Sequence, residues 1–156
     1  MVSVGSTVPA PPKSLWEKSD GNTVSFPTSG KYIILGVPGA FTPPCSSQIP
    51  GYLSNYNRFV AKGVSDIYVV AVNDIFVVNA WKEKLGKNSN VHFVADCTGE
   101  FIKSLGLDFD ATGLLGNSRS KRFAAVVEDG KVKNLYVEDE APEITVTAAD
   151  KVLASL

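Results

Sequence analysis

Residues 32–52 read YIILGVPGAFTPPCSSQIPGY, and the reading of this stretch decides the fold. Tyr32 to Val37 is a nearly unbroken apolar run, the pattern of a strand covered on both faces. Pro38-Gly39-Ala40 turns the chain, and Phe41-Thr42-Pro43-Pro44 leads into Cys45. From Ser46 to about Lys62, Ile49, Tyr52, Leu53, Tyr56, Phe59 and Val60 recur at helical spacing, so a helix is predicted there. Pro50 and Gly51 predict a kink in it, because an interior proline removes a hydrogen bond. A thiol therefore sits on the first turn of a helix, at the carboxyl end of a buried strand. Unpaired N–H groups and the helix dipole favour an anion at that position, and a thiolate is the anion a cysteine offers. Pro43 and Pro44 are tolerated where an N–H would be unpaired anyway. Thr42 can turn a hydroxyl toward the sulfur or toward a bound oxygen.

Outward from this stretch, strands alternate with helices. Thr23–Phe26 and Ser14–Glu17 flank Asp20-Gly21-Asn22, which predicts a small hairpin. Asp66–Val72 and Val91–Ala95 read as further buried strands. Between them a helix capped by Asn73 or Asp74 runs to about Leu85, and a short helix covers Glu100–Leu105. Asp108–Ser118 reads as irregular. Arg122–Glu128 and Lys131–Glu138 form a hairpin about Asp129-Gly130, and a last helix runs from Val146 to Leu156 with Thr147 as N-cap. The prediction is an α/β fold of one domain, residues 1–156, with a central mixed β-sheet flanked by helices.

Composition narrows the function. The 156 residues carry a net charge of −1 with both signs interspersed, so no basic stripe points to nucleic acid. No apolar run is long enough for a membrane span, and residues 1–16 lack the pattern of a secretory signal. Two cysteines without such a signal fit a reducing, cytoplasmic setting. Ala154-Ser155-Leu156 loosely resembles a peroxisomal tripeptide without its basic middle residue, which makes the peroxisome the alternative.

Three chemistries of a reactive cysteine meet obstacles. A cysteine hydrolase needs a base, and the single histidine, His92, lies within a predicted strand. A dithiol C-x-x-C motif is absent, since Gln48 occupies the fourth position. A zinc site needs more ligands than two cysteines and one histidine. Attack of the thiolate on a peroxide O–O bond needs no histidine, only donors and a cation to stabilise the leaving oxygen.

The spacing Pro38-x-x-x-Thr42-x-x-Cys45 resembles the peroxidatic segment of the peroxiredoxins. Together with VNDIFVVNAW, FVADCTGEF and GNSRSKRFAAVVEDGKV, the segment is similar to the type-five (type-II, atypical) branch, and to fungal members most closely. The resemblance implies a thioredoxin-like fold and thiol-dependent reduction of hydrogen peroxide and alkyl hydroperoxides. Cys45 would be the peroxidatic nucleophile, Thr42 the hydroxyl that positions peroxide, and Pro38 a shield against water. Arg122 would be held against the thiolate, with Arg119 as its nearby competitor. Cofactors are none. Thioredoxin, or glutathione with glutaredoxin, would be the reductant, and the assembly a homodimer. The chain departs from the pattern at Gln48, where many relatives carry histidine, and in the absence of a cysteine from Leu135 to Leu156. Cys97 is the other thiol, a spectator on this reading and a resolving cysteine on the alternative. The missing C-terminal cysteine also motivates a second function, a holdase chaperone or redox-sensing binding protein with little turnover.

Overall fold

A computed structural model describes residues 1–156. In chain order the elements are β1 (Leu15–Trp16), β2 (Lys31–Val37), α1 (Pro43–Ser54), α2 (Tyr56–Ala61), β3 (Val64–Ala71), α3 (Ile75–Gly86) and β4 (His92–Asp96). There follow α4 (Glu100–Leu105), β5 (Asp108–Asp110), α5 (Thr112–Leu115), β6 (Ser118–Ser120), β7 (Phe123–Glu128), β8 (Lys131–Val137) and α6 (Ala149–Ala154). Six strands make one sheet in the order β1-β4-β3-β2-β7-β8, and β5 pairs with β6 alone. The pairs β2–β3 and β3–β4 are parallel, while β1, β7 and β8 run antiparallel to their neighbours. This is the mixed, helix-flanked sheet of the thioredoxin-like fold.

Alternation along each central strand feeds two cores. Ile33, Leu35, Val37, Ile67, Val69, Phe93 and Val126 face one side with Cys45, Ile49, Tyr52 and Trp81. Tyr32, Ile34, Tyr68, Val70, Val94, Phe123 and Val127 face the other with Phe101 and Ile102. Each buried aliphatic of this size contributes about 1.5–3 kcal/mol. Gly36, opposite Phe123 in the β2–β7 pair, is required by space. A Cβ there would lie 2.0 Å from the Phe123 ring.

Four expectations are corrected. The hairpin before β2 shrinks to an isolated Trp16–Thr23 bridge, because Leu15 and Trp16 pair instead with β4. The helix after the thiol starts at Pro43 and breaks at Asn55, not at Pro50-Gly51. Pro50 sits on the exposed face and stays helical. Asn55 instead ends α1 by donating to the Gly51 carbonyl through both its backbone N–H (3.2 Å) and its side chain (2.8 Å). Residues 108–118 are ordered: the Asp110 carboxylate accepts from the Thr112 N–H at 2.9 Å and sets the turn of α5 between β5 and β6. The last helix starts at Ala149 rather than Val146, and Thr147 is no cap, because its hydroxyl is donated to Glu138 at 2.7 Å.

Candidate active site

Cys45 is the third residue of α1 and is fully buried. Pro43 and Pro44 before it have no N–H to offer, and the Ser46 N–H is taken by the Thr42 carbonyl at 2.9 Å. The Cys45 amide is thus the first free donor of the helix, and it makes no backbone hydrogen bond. The positive end of α1 is concentrated at the cysteine.

Arg122 reaches the sulfur. Its Nη2 donates to Cys45 Sγ at 3.2 Å, its Nη1 to Gln48 Oε1 at 2.6 Å and its Nε to the Ala141 carbonyl at 2.8 Å. Only 1% of the residue is exposed, so local sequence, which reads as a solvated strand-end charge, misplaces it. The strand register explains the burial. Gly36 pairs with Phe123, so Arg122 falls level with the end of β2, where the cysteine loop leaves the sheet.

The competitor, Arg119, is also near but bonded elsewhere. It donates to the Pro38 carbonyl at 3.2 Å, the Leu115 carbonyl at 3.3 Å and Asn117 Oδ1 at 2.6 Å. Burial holds its titration below the usual arginine value, and the Cys45 charge opposes that only in part. Its visible role is to tie the Pro38 turn to the α5 segment.

Thr42 is the N-cap of α1, yet its hydroxyl points neither at the sulfur nor at the helix. It donates to the Gly39 carbonyl at 2.8 Å. With its proton engaged there, the oxygen keeps its lone pairs free to accept from a hydroperoxide O–H. Pro38 is buried and lines, with Thr42, Pro43, Pro44 and Arg122, a cleft of about 560 Å³. Phe109, Leu114 and Leu115 from the β5–α5 segment and Pro142 form its other, apolar wall. In the loop before α1, Phe41 adopts a left-handed backbone (φ 66°) and is 44% exposed, with Lys84 Nζ 5.8 Å from the ring centre.

The structure does not bring the other two candidates into this site. His92 opens β4 and faces the opposite side of the sheet, stacked on Tyr68. Its two ring nitrogens meet Glu17 Oε2 at 2.8 Å and Asp66 Oδ1 at 3.0 Å, which leaves no histidine base beside Cys45. Cys97 is exposed, in the loop after β4. Two strand spacings, roughly 10 Å, separate the ends of β2 and β4. A disulfide needs Cα atoms within about 7 Å.

Sequence reasoning missed the part four residues play here. Asn73 Oδ1 accepts the Ala40 N–H at 2.9 Å and so pins the cysteine loop to the end of β3. Gln48 lies one turn beyond Cys45 on the same helix face, a spacing that could have flagged it as more than a departure from the pattern. Glu138 and Thr147 stand behind Gln48. Nothing in the acidic run Glu138-Asp139-Glu140 signals that its first member is buried.

This arrangement holds a shielded thiol between a helix N-terminus and a guanidinium, with an acceptor hydroxyl facing a cleft. The family model described as Redoxin matches residues 3–153. Peroxisomal membrane associated protein 20 of Schizosaccharomyces pombe is 58% identical over 158 residues, spanning 100% of both chains. Peroxiredoxin-2B of Arabidopsis thaliana is 38% identical over 99% of this chain and 98% of its own. Among solved structures, reduced Prx3 of Vibrio vulnificus in complex with H2O2 superposes with a TM-score of 0.87 at 35% identity, covering 99% of each chain. Peroxiredoxin 5 of Alvinella pompejana gives 0.84 at 32%, over 99% of this chain and 97% of its own.

Proposed function

The chain belongs to the redoxin family and within it to the peroxiredoxins, and from that premise we propose that Cys45 carries its chemistry and Arg122 and Thr42 assist. It is a thiol-dependent peroxidase. The observation that carries the residue assignment is the 3.2 Å contact of Arg122 Nη2 with a fully buried sulfur at the start of α1.

Peroxide enters the cleft between Pro38 and Arg122, and its O–H is donated to Thr42. The Cys45 thiolate attacks the nearer oxygen. An S–O bond forms as the O–O bond breaks, sulfur is oxidised to sulfenic acid, and the leaving oxygen departs as water or alcohol after taking a proton. Arg122 and the Cys45 amide face the charge that moves from sulfur to oxygen. The apolar wall of Phe109, Leu114 and Leu115 suits the alkyl part of an organic hydroperoxide.

Cys97 stands aside on this reading, so an external thiol condenses with the sulfenic acid, releasing water. A second thiol then breaks the mixed disulfide. Thioredoxin, or glutathione with glutaredoxin, supplies those electrons. The exposed Phe41 and Phe76 support a homodimer as the working assembly. No helix is long and apolar enough to cross a membrane, and the fungal relative's name favours a peroxisomal over a cytoplasmic setting.

Mass spectrometry after one equivalent of hydrogen peroxide, with a sulfenic-acid trap present, tests the cycle. The adduct is expected on Cys45. A Cys45–Cys97 disulfide would make Cys97 the resolving thiol, and an unmodified Cys45 would overturn the assignment.

A further inference from the structure

Behind Arg122 lies a chain of buried hydrogen bonds whose direction is fixed at both ends. A guanidinium only donates, so Gln48 must turn its amide oxygen to Arg122 Nη1. Its NH2 then needs acceptors and finds the Thr147 carbonyl at 3.2 Å and Thr147 Oγ1 at 3.1 Å. A hydroxyl accepts in this way when its own proton is given elsewhere, and Thr147 Oγ1 donates to Glu138 Oε2 at 2.7 Å. An ionised carboxylate only accepts, so Glu138 ends the chain.

Glu138 is unusual in its own right. It is 6% exposed and has no cationic partner. Four donors meet it instead: the N–H and hydroxyl of Thr145 at 2.7 and 2.5 Å, and those of Thr147 at 2.9 and 2.7 Å. Burial pushes its carboxyl up, but these hydrogen bonds outweigh burial and hold it below the usual carboxylate range. Its own N–H bonds the Arg122 carbonyl at 3.0 Å, so the two ends of the chain are also neighbours across the β7–β8 pair. A buried charge without a counterion is costly to keep, and its four bonds all serve the segment that orients Gln48.

We propose that Glu138 is a positioning residue for peroxide reduction: through Thr147 and Gln48 it fixes the direction of the hydrogen-bond chain that aims Arg122 Nη2 at the Cys45 sulfur. With Glu138 neutralised, the Thr147 hydroxyl is free to turn its proton toward Gln48, the Gln48 NH2 keeps only the Thr147 carbonyl as acceptor, and the Gln48 oxygen holds Arg122 less firmly. The proposal rests on Cys45 and Arg122 being the reacting pair.

Stopped-flow rate constants for the reduced protein with hydrogen peroxide, with melting temperatures alongside, test it. Thr147→Val, nearly isosteric but without the hydroxyl, is expected to slow the reaction on the order of tenfold, the worth of one well-placed hydrogen bond. Thr147→Ser keeps the hydroxyl and is expected to recover most of the rate. Glu138→Gln is expected to slow the reaction comparably, yet to add nothing to the rate loss of Gln48→Leu while still lowering the melting temperature of that variant. Rate losses for Glu138→Gln and Gln48→Leu that multiply would reduce Glu138 to a structural residue. Should Glu138→Gln not fold, the Thr147→Val and Thr147→Ser pair decides, and equal rates overturn the proposal. Arg122→Ala separates the two levels. If Arg122→Ala is slow and Thr147→Val is fast, only the chain fails; if Arg122→Ala keeps the full rate, the reading of the site fails as well.

Discussion

Arg122 and His92 are both basic side chains in a polar cluster against the same sheet, and the clusters differ in almost everything else. Arg122 is sealed, spends its donors on a sulfur, an amide and a carbonyl, and stands at the carboxyl end of the parallel strands. His92 is half-buried on the other face, between two carboxylates that water also reaches. Sealing removes the competition of water and screening ions, so the direction of each bond around Arg122 matters to a reacting atom. Around His92 the same kinds of contact only fasten Glu17 and the first residues of β3 to β4. On the proposed reading, chemistry follows the cluster that excludes water, not the one with the more titratable group.

The largest effect that can break this contrast is at the sulfur. Cys45→Ser is expected to abolish peroxide consumption in a ferrous-oxidation assay while the protein still folds, since a serine hydroxyl stays protonated. Measurable turnover in that variant would move the chemistry elsewhere. Arg122→Ala is expected to slow peroxide reduction by about 10²–10³, roughly 3–4 kcal/mol, the usual loss on removing a preorganised donor from a dry site. A loss below a few-fold would put Arg122 on the same footing as His92.

The smallest effect sharpens the contrast from the other side. His92→Gln is expected to leave the rate within twofold and to cost roughly 1 kcal/mol or less, as for solvent-reached ion pairs. Its pH signature is specific. The Glu17 hydrogen bond raises the His92 pKa from 6.5, burial opposes it, and Asp66 adds to the rise. The stabilisation is therefore complete below about 6.5 and fades as pH rises through the folded value. Melting temperatures of wild type and His92→Gln should converge in alkaline buffer. The depressed Glu138 has the reverse sign, its contribution present above the ordinary carboxylate value and lost as acid titrates the folded group.

Much of the fold and of the reactive loop is legible in the amino-acid sequence. The strands read at 32–37, 66–72 and 122–128 are there, within a residue or two at their ends, and they are the middle of the sheet. The Pro38, Thr42, Cys45 spacing marks the loop that the structure sets against Arg122. Register is not legible. Gly36 opposite Phe123 and Phe123 opposite Val137 bring the cysteine loop, Arg122 and Glu138 to one level, although they are spread over 94 positions of the chain from Cys45 to Glu138. Periodicity encodes which face a residue takes, not which partner it meets. For the same reason Thr147 reads as a helix cap from its neighbours, whereas a carboxylate nine residues upstream claims its hydroxyl. The break at Asn55 hides for a smaller reason: proline announces itself, and a side chain folding back onto Gly51 does not.

The exposed loop residue Phe41 carries a conflict of selection. A left-handed backbone disfavours any residue with a Cβ by roughly 1–2 kcal/mol, and a ring 44% open to solvent gains little from burial in return. Glycine at that position would relax the backbone and remove the exposed ring in one substitution. A screen for thermal resistance and a screen for self-association would therefore choose different residues at position 41. On the proposed dimer reading, the aromatic ring is what a chain keeps there for a contact that its own fold does not make.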